Sequence, residues 1–208
     1  MKNIVVLISG RGSNLRAIVQ ACAAEKWPAR VAGVVADRAG AAGLAVAREH
    51  RIATAVVEPA AGVSRDHWCG ELARVVDGFA PDLVVLAGFM RILGPSFVVH
   101  FEGRLINIHP SLLPAFPGLH THRRAIEAGC TLAGATVHFV TAGLDAGPVI
   151  AQATVPVLPG DDATTLAARV LEREHVLLPQ AIGALLHGRV RLEGGRAVRT
   201  GGPLPGPA

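Results

Sequence analysis

Short apolar runs that alternate with helix-like segments dominate the first half of the chain. The apolar runs are rich in valine and occupy residues 4–8, 31–35, 53–57 and 83–87. The helix-like segments between them include residues 14–25 and 64–78. Apolar runs without polar alternation are typical of parallel strands that helices cover on both faces. The pattern therefore predicts an α/β fold with a doubly wound, mostly parallel sheet of the Rossmann-like kind, in a single domain with right-handed crossovers.

The second half of the chain continues this pattern. Further strands are predicted at residues 104–109, 133–140 and 147–156. A last helix is predicted from Asp162 to His187, with Asp161 or Asp162 as its cap. We therefore expect one domain over residues 1–187. Residues 188–208 are expected to form a short hairpin around two adjacent glycines and then a glycine- and proline-rich tail that is flexible.

Three sequence features indicate the cellular setting and the partners: the cysteine spacing, the N-terminal segment and the net charge. The three cysteines, Cys22, Cys69 and Cys130, are widely spaced, so neither a disulfide framework nor a zinc site is indicated. The apolar stretch at the start is too short for a signal peptide or a membrane span. The net charge of +4 is spread without a run of five basic residues, which argues against nucleic acid. We expect a soluble, cytoplasmic protein that can still bind small phosphorylated ligands.

A glycine-bearing loop, residues 9–14 with the sequence SGRGSN, follows the first predicted strand directly. At the carboxyl end of a parallel strand, glycines let the backbone approach an anion, and the next helix presents free N–H groups. The loop therefore predicts a phosphate site, although a tight turn without a ligand has the same composition. A dinucleotide fingerprint would need a third glycine where Leu15 stands, and no Walker loop is present. Asp37, which closes the second strand, keeps a dehydrogenase with a bound ribose as an alternative.

Two polar side chains alternate with apolar ones in the strand predicted at 104–109. Because side chains of a strand alternate in direction, Asn107 and His109 should lie on the same side. An amide N–H and an imidazole there can stabilise negative charge on one carbonyl oxygen. Asp145 lies in a glycine-flanked loop between two predicted strands. If it lies near His109, it favours the imidazolium, whose reference pKa is about 6.5, and it could also receive a proton. A turn residue is the other interpretation of Asp145.

Other catalytic patterns fit the sequence less well. Ser111 is not in the GxSxG elbow of a serine hydrolase. His120 and His122 resemble a metal-binding pair, but no further ligand is evident, and a role in a loop or helix cap is favoured. We therefore expect no catalytic metal.

At this point the sequence resembles the phosphoribosylglycinamide formyltransferase family, the folate-dependent transformylases of purine synthesis. The likeness covers nearly all of residues 2–187 and is most specific in INIHPSLLP and LDAGP. The matching segments, in order, are IVVLISGRGSN, PDLVVLAGFMRIL, INIHPSLLPAFPGLHTHRRAIEAG, TVHFVTAGLDAGPVI and LEREH.

The resemblance implies a reaction and residues that perform it. Glycinamide ribonucleotide would accept the formyl group of 10-formyltetrahydrofolate, and no covalent enzyme intermediate would form. Asn107 and protonated His109 would stabilise the oxyanion, and Asp145 would support His109 and proton transfer. The residues implied for ribonucleotide binding are Gly12, Ser13, Asn14 and Glu174.

The resemblance also implies a folate pocket. Arg65 matches a position near the acidic tail of the folate, although an exposed helix arginine can equally be a solvated charge. The residues implied to line the pocket are Met90, Arg91, Ile92, Leu93, Thr141, Ala142, Gly143 and Leu144. Two positions depart from the expected phosphate or loop contacts: Arg11 would add a cation near the phosphate, and Ala115 stands where a larger, often basic residue is expected.

Related folate enzymes share the Asn, His and Asp set. Methionyl-tRNA formyltransferase would carry a further carboxy-terminal domain, and formyltetrahydrofolate deformylase an amino-terminal regulatory domain, so the length of 208 residues argues against both. A deformylase-like hydrolase and a non-catalytic nucleotide-binding sensor are kept as alternatives. Small-molecule substrates are the expected partners, and the sequence leaves open whether the protein is a monomer or a homodimer.

Overall fold

The computed structural model describes residues 1–200, and the predicted tail at 201–208 lies outside the described residues. Contacts divide the chain into two compact units, of which the first is Met1–Asn107 and the second begins at Ile108. The predicted domain boundary after residue 187 stays a prediction.

Parallel strands form the centre of the first unit. In the order in which they lie side by side, the strands are β3 (Ala53–Val56), β2 (Ala29–Ala36), β1 (Lys2–Ile8), β4 (Leu83–Leu86) and β5 (Leu105–His109). The last two residues of β5 belong to the second unit. The helices of the first unit are α1 (Ser13–Ala24), α2 (Gly43–Glu49), α3 (Arg65–Asp77) and α4 (Pro95–His100).

The strand order of the first unit makes it doubly wound. The chain adds β2 and β3 on one side of β1 and then crosses to add β4 and β5 on the other. The central strands are buried without polar alternation, as strands covered on both faces must be. Because the order reverses between β1 and β4, the loops after these two strands diverge and leave a crevice at the carboxyl edge. The predicted fold class is therefore confirmed.

The second unit contains an antiparallel strand pair and a long helix. Its elements are α5 (Thr121–Glu127), β6 (Leu132–Phe139), β7 (Val149–Pro156), α6 (Ala163–Leu186), β8 (Val190–Glu193) and β9 (Arg196–Arg199). Strand β6 pairs antiparallel with β7, whose buried residues alternate with exposed ones. Helix α6 packs on both strands. Strands β8 and β9 form an antiparallel hairpin around Gly194 and Gly195.

Helix α6 begins at a capping box. The Asp162 carboxylate accepts hydrogen bonds from the backbone N–H groups of Thr164 and Thr165, and the Thr165 hydroxyl lies 3.0 Å from the Asp162 nitrogen. Of the two caps that the sequence allows, Asp162 is the one used. Asp161 instead accepts two hydrogen bonds from Arg169, eight residues further along the chain.

Three short helices are absent from the sequence-based assignment. They are α2, α4 and α5, each six or seven residues long. Helices of fewer than two turns show too little periodicity to be distinguished from loops. Among the described residues, no helix is both long and apolar enough to cross a membrane.

Candidate active site

His109, the last residue of β5, has an acceptor on each side of its ring. Its Nε2 lies 3.0 Å from the carbonyl oxygen of Phe116, and its Nδ1 lies 3.4 Å from Oδ2 of Asp145. The side chain is only 7% exposed. A neutral imidazole carries a single N–H and can donate to only one of these oxygens. An imidazolium, with an N–H on each nitrogen, would have an acceptor near both.

Asp145 reaches His109 from the loop that joins β6 to β7. It has a positive φ of 50°, a left-handed conformation that aspartate tolerates better than most residues. Its Oδ2 also accepts a hydrogen bond from the backbone N–H of Gly118 at 2.8 Å. Gly147 closes the loop, and a Cβ there would overlap the carbonyl oxygen of Phe139. Loop geometry thus turns the carboxylate towards His109, and its side chain is 10% exposed.

His138 is a second histidine beside Asp145. It lies on β6, is 2% exposed, and has Nε2 3.8 Å from Oδ1 of Asp145. Its Nδ1 donates to the carbonyl oxygen of Phe139 at 2.8 Å, since a carbonyl can only accept. Burial lowers the pKa of His138, and the Phe139 hydrogen bond and the Asp145 charge oppose that effect only in part. Of the two histidines, His109 lies closer to the Asp145 carboxylate.

The loop from Pro110 to His120, here the β5 loop, is anchored on β6 and β7. Thr136, fully buried on β6, accepts from the Leu113 backbone N–H at 3.0 Å and donates to the Ser111 carbonyl at 2.7 Å. Gln152 on β7 donates to the Leu113 carbonyl at 2.8 Å. The Ser111 hydroxyl lies 2.6 Å from the Ala115 carbonyl oxygen. These bonds fix the backbone that presents the Phe116 carbonyl to His109.

Asn107 stands two residues before His109 on β5 and is partly exposed. Alternation along the strand gives the two side chains the same direction from its backbone. Both are predicted catalytic residues, and they are the polar side chains at the carboxyl end of this otherwise apolar strand. The arrangement can direct an amide N–H and an imidazolium N–H at one developing oxyanion.

The predicted phosphate loop ends in a left-handed glycine. Gly12 has a φ of 79° and precedes α1, whose first turn receives no hydrogen bond from a cap side chain. A Cβ at Gly12 would lie 2.5 Å from the Cα of Gly43, so the position needs glycine for packing on α2 as well as for its φ. Ser13 opens the helix and is partly exposed, whereas Asn14 is buried. The exposed Arg11 precedes Gly12 and adds a cation next to the start of α1.

Asp37 is not placed to bind a ribose, as the dehydrogenase alternative requires. Its side chain is fully buried, with Oδ2 2.7 Å from Nε of Arg91 and Oδ1 3.4 Å from Nε of Arg38. Burial opposes ionisation, but the hydrogen bonds from Arg91, Ser9 and Arg38 outweigh it and hold the pKa of Asp37 below its usual range. The carboxylate is thus occupied by protein partners.

The residues assigned to the folate by resemblance lie in several loops and on α3. Met90, Arg91, Ile92 and Leu93 follow β4, and the Met90 and Ile92 side chains are exposed. Arg65 is the exposed first residue of α3. In the second unit, Thr141, Ala142, Gly143 and Leu144 lead into Asp145, and Leu144 is exposed. Glu174, assigned to the ribonucleotide, is a buried residue of α6.

Several residues that build the site are missing from the sequence-based prediction. They are Asp37 as an ion-pair partner, Phe116, Gly118, Thr136, His138 and Gln152. One sequence signal was usable, because Thr136 and His138 are polar residues in the otherwise apolar strand β6. The others contribute through backbone groups or long-range pairs, which residue type does not reveal.

His120 and His122 stay apart from any metal-binding set in the described part of the chain. His120 occupies the N-cap position of α5, and His122 lies in the first turn of that helix. Within residues 1–200, no three histidine, cysteine or carboxylate side chains are grouped as a metal ion would need.

Comparison with known proteins gives the same family from sequence and from structure. The formyl transferase family model matches residues 2–182. A phosphoribosylglycinamide formyltransferase of Escherichia coli strain K12 is 51% identical over 203 residues, which cover 98% of this chain and 96% of that protein. The crystal structure of glycinamide ribonucleotide transformylase 1 from Symbiobacterium toebii has a TM-score of 0.92 at 48% identity, covering 96% of this chain and 94% of the other.

A more distant solved structure is a formyltetrahydrofolate deformylase from Pseudomonas syringae pv. tomato. It has a TM-score of 0.87 at 30% identity and covers 96% of this chain, but this chain covers only 66% of it. Matches over nearly the full length are thus found among the transformylases. On the family model and these relatives together, the chain belongs to the formyl transferase family.

Proposed function

We propose that this protein is a phosphoribosylglycinamide formyltransferase, which moves the formyl group of 10-formyltetrahydrofolate to the amine of glycinamide ribonucleotide. The names of the full-length relatives support the activity. The observation that carries the residue assignment is the buried His109–Asp145 pair, with Asn107 two residues earlier on the same strand.

In the proposed reaction, the substrate amine attacks the formyl carbon. The new C–N bond forms as the carbonyl electron pair moves onto oxygen, where Asn107 and His109 donate hydrogen bonds to the oxyanion. Asp145 maintains the His109 cation and takes up the amine proton, directly or through water. The intermediate then expels the folate nitrogen, which takes up that proton from Asp145 or the water and leaves as tetrahydrofolate. No bond to the enzyme forms.

The contacts of His109 set a condition on this mechanism. Its Nε2 faces the Phe116 carbonyl, so that N–H must turn from Phe116 to the formyl oxygen before it can stabilise the intermediate. The substrate oxygen would replace a neutral acceptor with one that gains charge as the reaction proceeds. The hydrogen bond therefore strengthens in the transition state, which is what accelerates a reaction.

The binding residues form the second part of the proposal. Gly12, Ser13 and Asn14 would bind the phosphate of the ribonucleotide through the first turn of α1, and Glu174 would also hold the ribonucleotide. Residues 90–93 would contribute to folate binding, the loop at 141–144 would contact the pterin, and Arg65 would lie near the acidic tail. The partners would be these small molecules, with no metal, nucleic acid or membrane involved, and the enzyme would act in the cytoplasm.

The deformylase is the second candidate, because the fold similarity at 30% identity extends over nearly all of this chain. A deformylase uses water where a transformylase uses the ribonucleotide amine. Near-full-length coverage of the transformylases, against two thirds of the deformylase, favours amine transfer.

A coupled absorbance assay separates these functions. Purified protein is given 10-formyltetrahydrofolate with glycinamide ribonucleotide, with water alone or with charged initiator tRNA, and tetrahydrofolate release is followed. We expect release that depends on the ribonucleotide. Equal release in water alone would replace the proposal with the deformylase. Release that needs tRNA would indicate the tRNA enzyme, and ligand binding without release would indicate a non-catalytic sensor.

A further inference from the structure

The loop at residues 88–93, here the β4 loop, exposes two of its apolar side chains, whereas Phe89 is buried and stacks on Trp68 with the ring centroids 6.4 Å apart. Met90 and Ile92 are 61% and 62% exposed, although they belong to the segment assigned to the folate pocket. Side chains that point into solvent contribute little packing energy, so the position of residues 90–92 in this loop must depend on other contacts. Those contacts lie beneath it and are polar.

Ser9, directly after β1, makes the first contacts. Its backbone N–H donates to the Gly88 carbonyl at 3.1 Å, and its hydroxyl oxygen accepts from the Met90 N–H at 2.8 Å. Ser9 is 2% exposed, so water does not compete for these groups. The other end of the β4 loop is also held by a polar contact. The backbone N–H of Gly94, directly after the loop, donates to the buried Sγ of Cys69 on α3 at 3.1 Å.

Asp37 supplies the contact that links the ends of three strands. It follows β2, and its carboxylate accepts from Nε of Arg91 at 2.7 Å and is hydrogen-bonded by the Ser9 hydroxyl. The carboxylate is completely buried, whereas Arg91 is 44% exposed. A buried carboxylate is costly without partners, so it strongly favours the loop conformation that keeps Arg91 and Ser9 in place.

We propose that Asp37 is a positioning residue that fixes the β4 loop as a wall of the folate pocket. It acts through Arg91 and Ser9 and, being buried, touches no substrate itself. This inference rests on the proposed function, because it assigns residues 90–93 to the folate. Asp37 lies outside the proposed binding loops, yet it determines how well the β4 loop is preorganised for the folate.

Asp37→Asn tests the proposal, because it removes the charge and keeps the shape. We expect KM for 10-formyltetrahydrofolate to rise roughly tenfold, while kcat and KM for the ribonucleotide stay within about twofold. We also expect the Met90 amide, which is bonded to Ser9, to exchange its hydrogen faster by NMR. A residue that serves only general stability would shift both KM values and kcat together.

Two further variants sharpen the test. In a double-mutant cycle with Arg91→Gln, the second change should add little to the first if the two side chains act as one unit. Glu49→Gln is the matched control, because it removes a carboxylate that belongs to a different ion pair. Glu49 on α2 is exposed and pairs with Arg16 on α1 at 3.1 Å, and neither residue belongs to the β4 loop. The control should leave both KM values and the Met90 exchange rate unchanged.

The outcomes separate this inference from the proposed function. Unchanged folate KM and unchanged Met90 exchange in Asp37→Asn would overturn the positioning role. A rise in both KM values in proportion to a fall in melting temperature would also overturn it, in favour of general stability. If the wild-type protein transfers no formyl group but Asp37→Asn still accelerates Met90 exchange, the proposed function fails and the loop-fixing role of Asp37 stands.

Discussion

At the scale of single residues, His109 has the most demanding surroundings. Both ring nitrogens face oxygen acceptors, and one of those acceptors, Asp145, also lies near His138. The two histidines differ in their partners. His138 uses one nitrogen for a backbone carbonyl in a fully buried position, where a charge is disfavoured, whereas His109 has the carboxylate closer. Neighbouring imidazoles thus receive different roles from their surroundings.

Replacing His109 should affect turnover far more than binding. We expect His109→Ala to lower kcat by about 10² to 10³, because it removes a donor whose hydrogen bond strengthens in the transition state. Asp145→Asn should also lower kcat strongly, since the amide can neither maintain the cation nor accept the proton. Steady-state kinetics measure kcat, and calorimetric titration measures ribonucleotide affinity. Loss of affinity as large as the loss of kcat would contradict an action on the transition state.

His138 should make the protein less stable in mild acid. Burial lowers its pKa below the value of about 6.5 that holds in the unfolded chain. The unfolded state therefore binds the proton first. The neutral His138 contributes fully to stability above about pH 6.5. This contribution is lost as the pH falls through the folded-state pKa, and the loss is about 1.4 kcal/mol for each unit by which the folded-state pKa lies below the unfolded one. Burial lowers the pKa of His122 and His175 in the same way, so their effects add.

Urea unfolding at pH 7.5 and 5.5 measures this effect. We expect His138→Gln to lose less free energy of unfolding between the two pH values than the wild-type protein does. His67→Gln is the control, because its imidazole is 68% exposed on α3. An equal loss in the wild-type protein and in His138→Gln would show that the buried histidine does not determine the acid sensitivity.

At the scale of elements, the turn from β1 into α1 combines packing with ligand binding. The backbone N–H of Gly43 donates to the Gly10 carbonyl at 3.0 Å, and Gly12 lies against Gly43 itself. The first turn of α1 is thus held against the start of α2. A large side chain at Gly12 would disturb this contact before it reached a phosphate, so such a change does not isolate phosphate binding.

Alanine at the two loop glycines should separate these effects. Gly12→Ala places a Cβ 2.5 Å from the Cα of Gly43 at a φ of 79°, so we expect a loss of ~1–2 kcal/mol or more in the free energy of unfolding. A Cβ at Gly10 has no atom within 4 Å, so Gly10→Ala should change stability by less than about 0.5 kcal/mol. Chemical denaturation compares the two. Equal stability of both variants would contradict the close packing at Gly12.

At the scale of the whole molecule, substrate binding should be visible as stability. A ligand that binds only the folded state at 100 times its Kd adds about 2.7 kcal/mol to the free energy of unfolding. We expect glycinamide ribonucleotide to raise the melting temperature with increasing concentration, in the wild-type protein and equally in His109→Ala. Thermal scans measure both series. No shift in the wild-type protein would contradict ribonucleotide binding, and a shift lost in His109→Ala would give His109 a role in binding.

Local sequence patterns were sufficient for the longer elements and for some of the site. The apolar runs predicted β1 to β4. The central strands β1 and β4 are apolar because a strand covered on both faces must be, whereas the edge strand β3 is mostly exposed. Alternation predicted that Asn107 and His109 share a direction, since it depends only on the backbone of one strand. The α6 cap followed from the preference of aspartate for that position. The catalytic roles came from the family resemblance and remain proposals.

The tertiary structure decided which distant residues meet. Asp145 reaches His109 only because the loop after β6 turns back towards the end of β5. Asp37 follows β2 and Arg91 follows β4, and the two meet only because β2 and β4 lie on either side of β1. The strand order that brings such residues together is not encoded in any local window, because it depends on how all the apolar faces are buried at once. The sequence by itself therefore determined the strands and the groups able to do chemistry, and the packing of the strands determined their partners.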